Sequence, residues 1–165
     1  MSHRGLLLTM TEPPPDMEEE FNAWYDSEHL PERLSIKGFR SARRWVIDCK
    51  PGEGKYLATY ELDSPTVLTS KEYLSFYENP TPWTKRCLDR TVVFKRWACE
   101  QIEPGTAELH ANAKALLLSF GESPVRGALQ LRRFAATTRE SIWLYEMPDA
   151  EDLPPGAYRL YGDGR

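Results

Sequence analysis

Apolar and polar positions along the chain follow two periods in turn. RGLLLTM (4–10) is a short apolar run that stops at TEPPP, the pattern of a buried strand. From Asp16 the spacing becomes helical, and Met17, Phe21, Trp24 and Tyr25 share one stripe at about 100° per residue. Asp16 with Glu19 three positions on predicts a capping box. Pro31 predicts a kink or an end, because it removes a backbone donor and crowds the carbonyl of Ser27. Gly38 closes the connection. FRSARRWVIDC (39–49) and KYLATYEL (55–62) predict a strand pair joined by KPGEG. Ser64-Pro65 starts a second helix, whose pattern runs through Tyr77 and breaks at NPTP. TKRCLDR (84–90) adds a turn of helix, and RTVVFKRWACEQI (90–102) predicts another strand.

This order, β-α-β-β-α-β, is the ferredoxin-like plan of an α+β fold and occupies residues 1–102. EPGTAELHAN (103–112) reads as a linker. Residues 113–165 repeat the first part in abridged form: LLLTMTEPPP returns as LLLSFGESP, ARRW as LRRF, and TYELDSPTVL as LYEMPDAEDL. The gap between the first two matches shortens by about a helix, so the second repeat lacks the first helix. GAYRLYG (156–162) predicts its last strand. A sheet with helices on one face must bury the other. Two such sheets face to face make a barrel or pseudo-barrel, within one chain or across a dimer, and free edges favour a homodimer.

The chain has 165 residues, enough for one domain with a real core or two small halves. With 41% hydrophobic and 28% charged residues it reads as a water-soluble globular protein. A net charge of −4 argues against nucleic acid as a partner. No apolar run reaches the roughly 20 residues of a membrane helix, and the opening residues do not read as a signal peptide. Cys49, Cys87 and Cys99 lack C-x-x-C spacing and read as reduced thiols of a cytoplasmic protein. His3, His29 and His110 are scattered, which predicts no metal site. No phosphate loop, G-x-S-x-G or dinucleotide fingerprint occurs, so no organic cofactor is expected.

FNAWYDSEHLPERLSIKGFRSARRW (21–45), followed by YLATYEL and NPTPW, resembles the dimeric α+β barrel superfamily. Within it the likeness is to EthD-like proteins with W-Y-D-x-E-H-L-P-E, then G-F and R-R-[WFY]. It covers residues 5–100 well. The resemblance implies a small-molecule cavity between sheet and helices. The superfamily includes cofactor-free monooxygenases, isomerases, decarboxylase-like and haem-degrading enzymes, and proteins with no known activity.

The candidate chemistry gathers on the same stretch. His29 can act as base or acid near neutral pH. Glu28 falls in the middle of the apolar stripe, where burial would raise its pKa and suit a general acid. Its alternative is a solvent-facing or arginine-paired glutamate. Asp26 either orients the His29 ring or is a surface acid. Arg43 and Arg44 point to opposite faces of a strand. One of them can clamp a carboxylate or an enolate, or bridge to Glu28 or Asp26. Trp24, Tyr25, Trp45, Tyr56, Tyr60, Trp83 and Trp97 are pocket walls or core. These parts predict an acid/base site beside an apolar pocket; the resemblance implies a cofactor-free enzyme of isomerase, decarboxylase or monooxygenase type, acting on an aromatic or polyketide-like small molecule. The alternatives are a binding or accessory protein without turnover and, third, a haem-binding protein with His29 as axial ligand.

Overall fold

In the computed structural model, which describes residues 3–162, the first apolar run forms β1 (Gly5–Glu12). A 3-10 turn (Pro15–Met17) leads into α1 (Glu18–Trp24), a wide π turn (Tyr25–His29) and α2 (Leu30–Leu34). β2 (Phe39–Val46) and β3 (Tyr56–Leu62) form a hairpin. A second 3-10 turn (Pro65–Thr69), α3 (Lys71–Glu78) and α4 (Pro82–Arg90) precede β4 (Val93–Glu103). Thereafter the described residues add strands alone: β5 (Ala115–Ser119), β6 (Gln130–Ala136), β7 (Ser141–Met147) and β8 (Tyr158–Tyr161). The fold is α+β: few helices lie against a closed antiparallel barrel in the order β1-β3-β2-β8-β5-β7-β6-β4. Closure is thinnest at β8, which pairs Arg44, Trp45 and Val46 of β2 on one side and Ala115 and Leu116 of β5 on the other.

Alternation along the strands sorts the core into layers. Leu7, Ala42, Val46, Ala58, Tyr60 and Leu62 point outward and pack under Phe21, Trp24 and Leu30 of the helical segment. Their neighbours point inward: Leu6, Leu8, Trp45, Leu57 and Trp97 meet Leu116, Phe134, Ile142 and Leu144 from the second half. The barrel interior is therefore packed with side chains. Outside β5 and β7, Leu117, Tyr145 and Met147 are covered by loop residues such as Val125 and Leu153, where the first half uses helices.

Three local expectations are corrected. The Asp16–Glu19 capping box does not form. Asp16 accepts instead from Arg90 at 3.2 Å, and Pro15 at the first helical position starts the turn. Nor does Pro31 end the helix. The π turn precedes it, with the Leu30 N–H reaching the Tyr25 carbonyl five residues back, and Pro31 falls in the first turn of α2. Widening the turn makes room for the proline ring against the preceding backbone. The residues after NPTP form more than an added turn: Thr81 caps α4 by accepting from the Thr84 N–H at 3.1 Å.

Candidate active site

The helical segment does not press flat on the sheet. Between α2, α3 and α4 and the outer face of β1, β3 and β4 lies a cavity of about 430 Å³. Its wall includes His29, Tyr25, Tyr60, Thr9, Arg33, Arg96 and Tyr73, with Leu7, Phe76, Leu88 and Phe94 as its apolar part.

His29 ends the π turn and is 8% exposed. Its ring stacks on Trp24 at 4.5 Å and meets Tyr25 edge-on at 5.0 Å. Burial, then the positive charges of Arg33 and Arg44, hold its pKa well below the ordinary histidine value. The imidazole is thus neutral at neutral pH. Its Nδ1 is buried and has no hydrogen-bond partner among the described residues.

Two hydroxyls on the same wall share that condition. Among the described residues Thr9 Oγ1 is buried without a partner, and Tyr60 Oη, beside the Tyr25 phenol, makes no hydrogen bond of good geometry. Burial and the neighbouring Tyr25 phenol push the Tyr60 pKa well above its ordinary value, so it stays a phenol. Buried polar groups are as a rule hydrogen-bonded. Three exceptions around one cavity are the pattern of a site that completes its bonds with a ligand.

Charge enters from two arginines. Arg33 is buried beside Glu32 at 3.2 Å, its guanidinium 5.5 Å from the centre of the Tyr73 ring. Arg96 donates to the Tyr73 hydroxyl at 2.9 Å and lies 5.6 Å from the Tyr77 ring centre. Tyr73 is thus flanked by two guanidinium groups.

A hydrogen-bonded brace holds Trp24 and the π turn. The Trp24 indole N–H donates to Thr84 Oγ1 at 3.0 Å. Glu28 accepts from Thr84 at 3.2 Å and from Thr81 at 2.6 Å. The Glu28 carboxylate is therefore engaged with the start of α4 and does not line the cavity.

Of the residues the sequence singled out, His29, Tyr25 and Tyr60 line the cavity, and Trp24 backs the imidazole. Arg44 lies behind Tyr25, caged by aromatic rings. Its guanidinium carbon is 4.2, 4.8 and 4.6 Å from the centres of Tyr25, Tyr56 and Tyr161, and it donates to Asn22 at 2.9 Å. Asp26 lies 3.9 Å from Arg44. Tyr56 donates to Glu18 at 2.8 Å, near the start of α1. Trp83 packs, half-buried, on the helical side. Trp45 and Trp97 point the other way, into the barrel, and donate to Thr59 and Glu140 at 3.0 Å each. Arg43 also lies on the other face, at one end of the barrel.

Arg33, Arg96, Thr9 and Tyr73 were not singled out from sequence. Three of them were within reach of its logic. Arg33 is one helical turn after His29. Thr9 alternates with Leu7 on one face of its strand, and Arg96 alternates against the inward Trp97. Among the described residues no group of three or more His, Cys, Asp or Glu side chains converges.

No family model matches the chain, and no curated protein matches it in sequence. Solved structures do share its fold. An anthrone oxidase-like protein superposes with a TM-score of 0.64 at 11% identity, over 98% of this chain and 92% of its own. A proposed monooxygenase of Fusobacterium nucleatum subsp. nucleatum gives 0.53 at 8% identity, over 91% of this chain and 78% of its own. At such identities the likeness is one of fold.

Proposed function

We propose that this chain is a small-molecule enzyme that performs acid/base chemistry in the His29 cavity on an aromatic or polyketide-like substrate. The observation that carries this reading is a neutral, buried imidazole sharing one aromatic-walled cavity with two unsatisfied hydroxyls and two guanidinium groups. The aromatic rings hold a flat apolar ligand. The Tyr60 and Thr9 hydroxyls bond its oxygen atoms. His29 takes a proton from a phenol or from a carbon beside a carbonyl. Arg33 or Arg96 balances the negative charge that develops. His29 is the base, and Trp24 and Glu28 are positioning residues.

The carbanion so formed can be reprotonated elsewhere, which is isomerisation, or attacked by dioxygen, which is oxygenation. The fold shared with an anthrone oxidase-like protein and a proposed monooxygenase favours the oxygenating form. The W-Y-D-x-E-H-L-P-E stretch supports an EthD-like relationship. In the same reading residues 1–102 are a complete ferredoxin-like repeat, 103–112 join it to the next, and 113–165 are an abridged repeat whose sheet closes the barrel. No cofactor is required by these steps.

The test is to incubate the protein with anthrone and related tricyclic phenols in air and under argon, following oxygen uptake and product absorbance. His29→Gln is expected to bind the same compounds within several-fold of wild type while losing turnover by about 10²-fold or more. Normal turnover by His29→Gln on a compound the wild type converts would end the assignment.

A further inference from the structure

A second cavity, of about 420 Å³, lies at the end of the barrel where β2 begins and β3 ends, and shares no lining residue with the His29 cavity. Arg4, Arg40, Arg43 and Lys114 bring four cationic side chains to its wall. Two carboxylates also reach it. Glu61 is already held from inside the barrel, by Arg132 at 2.6 and 3.0 Å. Glu108 is 63% exposed and lies 2.5 Å from Arg40 and 3.8 Å from Arg4. Arg43 bonds the Ala42 carbonyl at 3.0 Å. Neither Arg43 nor Lys114 has a carboxylate within 4.0 Å among the described residues. Among the described residues Arg4 Nη1 is buried without a hydrogen-bond partner. Asp63 also holds Arg40, at 2.9 Å; the positive charge left at Arg4, Arg43 and Lys114, in a chain of net charge −4, is a feature of the place and not of the composition.

The wall is also fixed. The segment that carries Glu108 is pinned to two side chains with 0% exposure. Gln101 accepts from the N–H groups of Gly105 and Ala107 and donates to the Ala107 carbonyl, all at 2.9 Å. Glu146 accepts from the His110 N–H at 2.7 Å.

We propose that this end of the barrel binds a small organic anion bearing phosphate or carboxylate groups, with Arg4 and Arg43 as its principal contacts and Glu108 as the internal carboxylate it displaces. Guanidinium forks match both groups with paired, charge-assisted bonds. The volume is that of a small-ligand site and exceeds the needs of a bare ion. Glu108 can leave Arg40 cheaply because it is exposed, and a multiply charged ligand gains most from replacing it.

Calorimetric titration with pyrophosphate and with citrate tests this and separates the two chemistries. One site per chain is expected for at least one of them, weakening as salt rises. Arg43→Gln should weaken that binding about tenfold or more, and Lys114→Gln, an exposed change, several-fold. Glu108→Gln should tighten it several-fold by removing the competitor. Circular dichroism checks that each variant is folded. Absence of saturable binding of either anion up to about 10 mM overturns the proposal. So does wild-type affinity in both Arg43→Gln and Lys114→Gln, or no gain in Glu108→Gln.

Discussion

The rings of Trp24 and His29 stack at 4.5 Å with 27° between their planes, although they lie five positions apart in the chain. In an α-helix that spacing turns about 140° around the axis and parts the side chains. The π turn at Tyr25–His29 removes the difference and brings the imidazole onto the indole. Deleting Ser27, an exposed residue of that turn, leaves the imidazole four positions after Trp24, about 40° around an α-helix axis, so the α period returns with the two rings still on one face. The imidazole is then expected to keep titrating well below the ordinary histidine value, as followed by NMR of the ring nitrogens. An imidazole titrating at the ordinary value in the deletion variant would show that the turn does more than absorb one extra residue.

His29 also gives the chain a pH dependence of defined sign. Its folded pKa lies well below the ordinary value, with burial as the main cause. As pH falls below about 6.5, the unfolded chain takes up a proton that the native imidazole refuses. Stability from this residue is therefore full above that pH and declines toward the lower folded value. Denaturant unfolding of wild type and His29→Gln at pH 7 and pH 5 should show a smaller loss in the variant, since both share every other titrating group. In the same way the acid limb of kcat/KM should lie below pH 6.5. A limb centred at or above it would mean another base.

The Glu28 carboxylate braces the π turn against α4 through two threonine hydroxyls. Replacing it with Gln keeps the shape but weakens charge-assisted bonds. A loss of about 1–3 kcal/mol in unfolding free energy is expected, with kcat within a few-fold of wild type. A general acid would respond the other way, with a drop of about 10² in rate and little change in stability. Measuring both in one variant separates the roles.

What could be read from the sequence was what repeats with a fixed period. The strands follow from alternation and from turn residues, and Ser64 caps its turn as its place before Pro65 predicts, accepting from Thr66 at 3.3 Å. The aromatic stripe of α1 follows from helical spacing. The π turn was not legible, because its single extra residue looks like helix to any periodic template. That one residue decides which side chains enter the site: it takes Glu28 to α4 and His29 to the cavity. The adjacent Arg43 and Arg44 do point to opposite faces, as strand geometry requires, but periodicity says nothing about distance along the strand. The cavity arginines come instead from α2 and β4, which only the tertiary packing joins.

The barrel interior carries one arrangement that periodic patterns cannot announce and that ties the two halves together. Arg132 of β6 is fully buried and bonds Glu61 of β3 at 2.6 and 3.0 Å and Glu146 of β7 at 2.6 Å. Two carboxylates thus share one guanidinium inside the barrel. Removing the cation alone leaves both acids without a counter-charge, and breaking such a pair destabilises by about 3–5 kcal/mol. Arg132→Met should unfold at markedly lower denaturant. Removing the charges together should behave differently. In Glu61→Leu/Arg132→Met/Glu146→Gln no charge of this trio remains, and the Gln oxygen can still accept from the His110 N–H that Glu146 now serves. Much of the lost stability is expected to return, since a well-packed apolar replacement is often neutral or stabilising. Equilibrium unfolding of the single and triple variants measures this. If the single variant proved as stable as wild type, the three charges would not be what joins β3 to β6 and β7 across the barrel. A triple variant no better than the single one would place the loss in packing and not in charge.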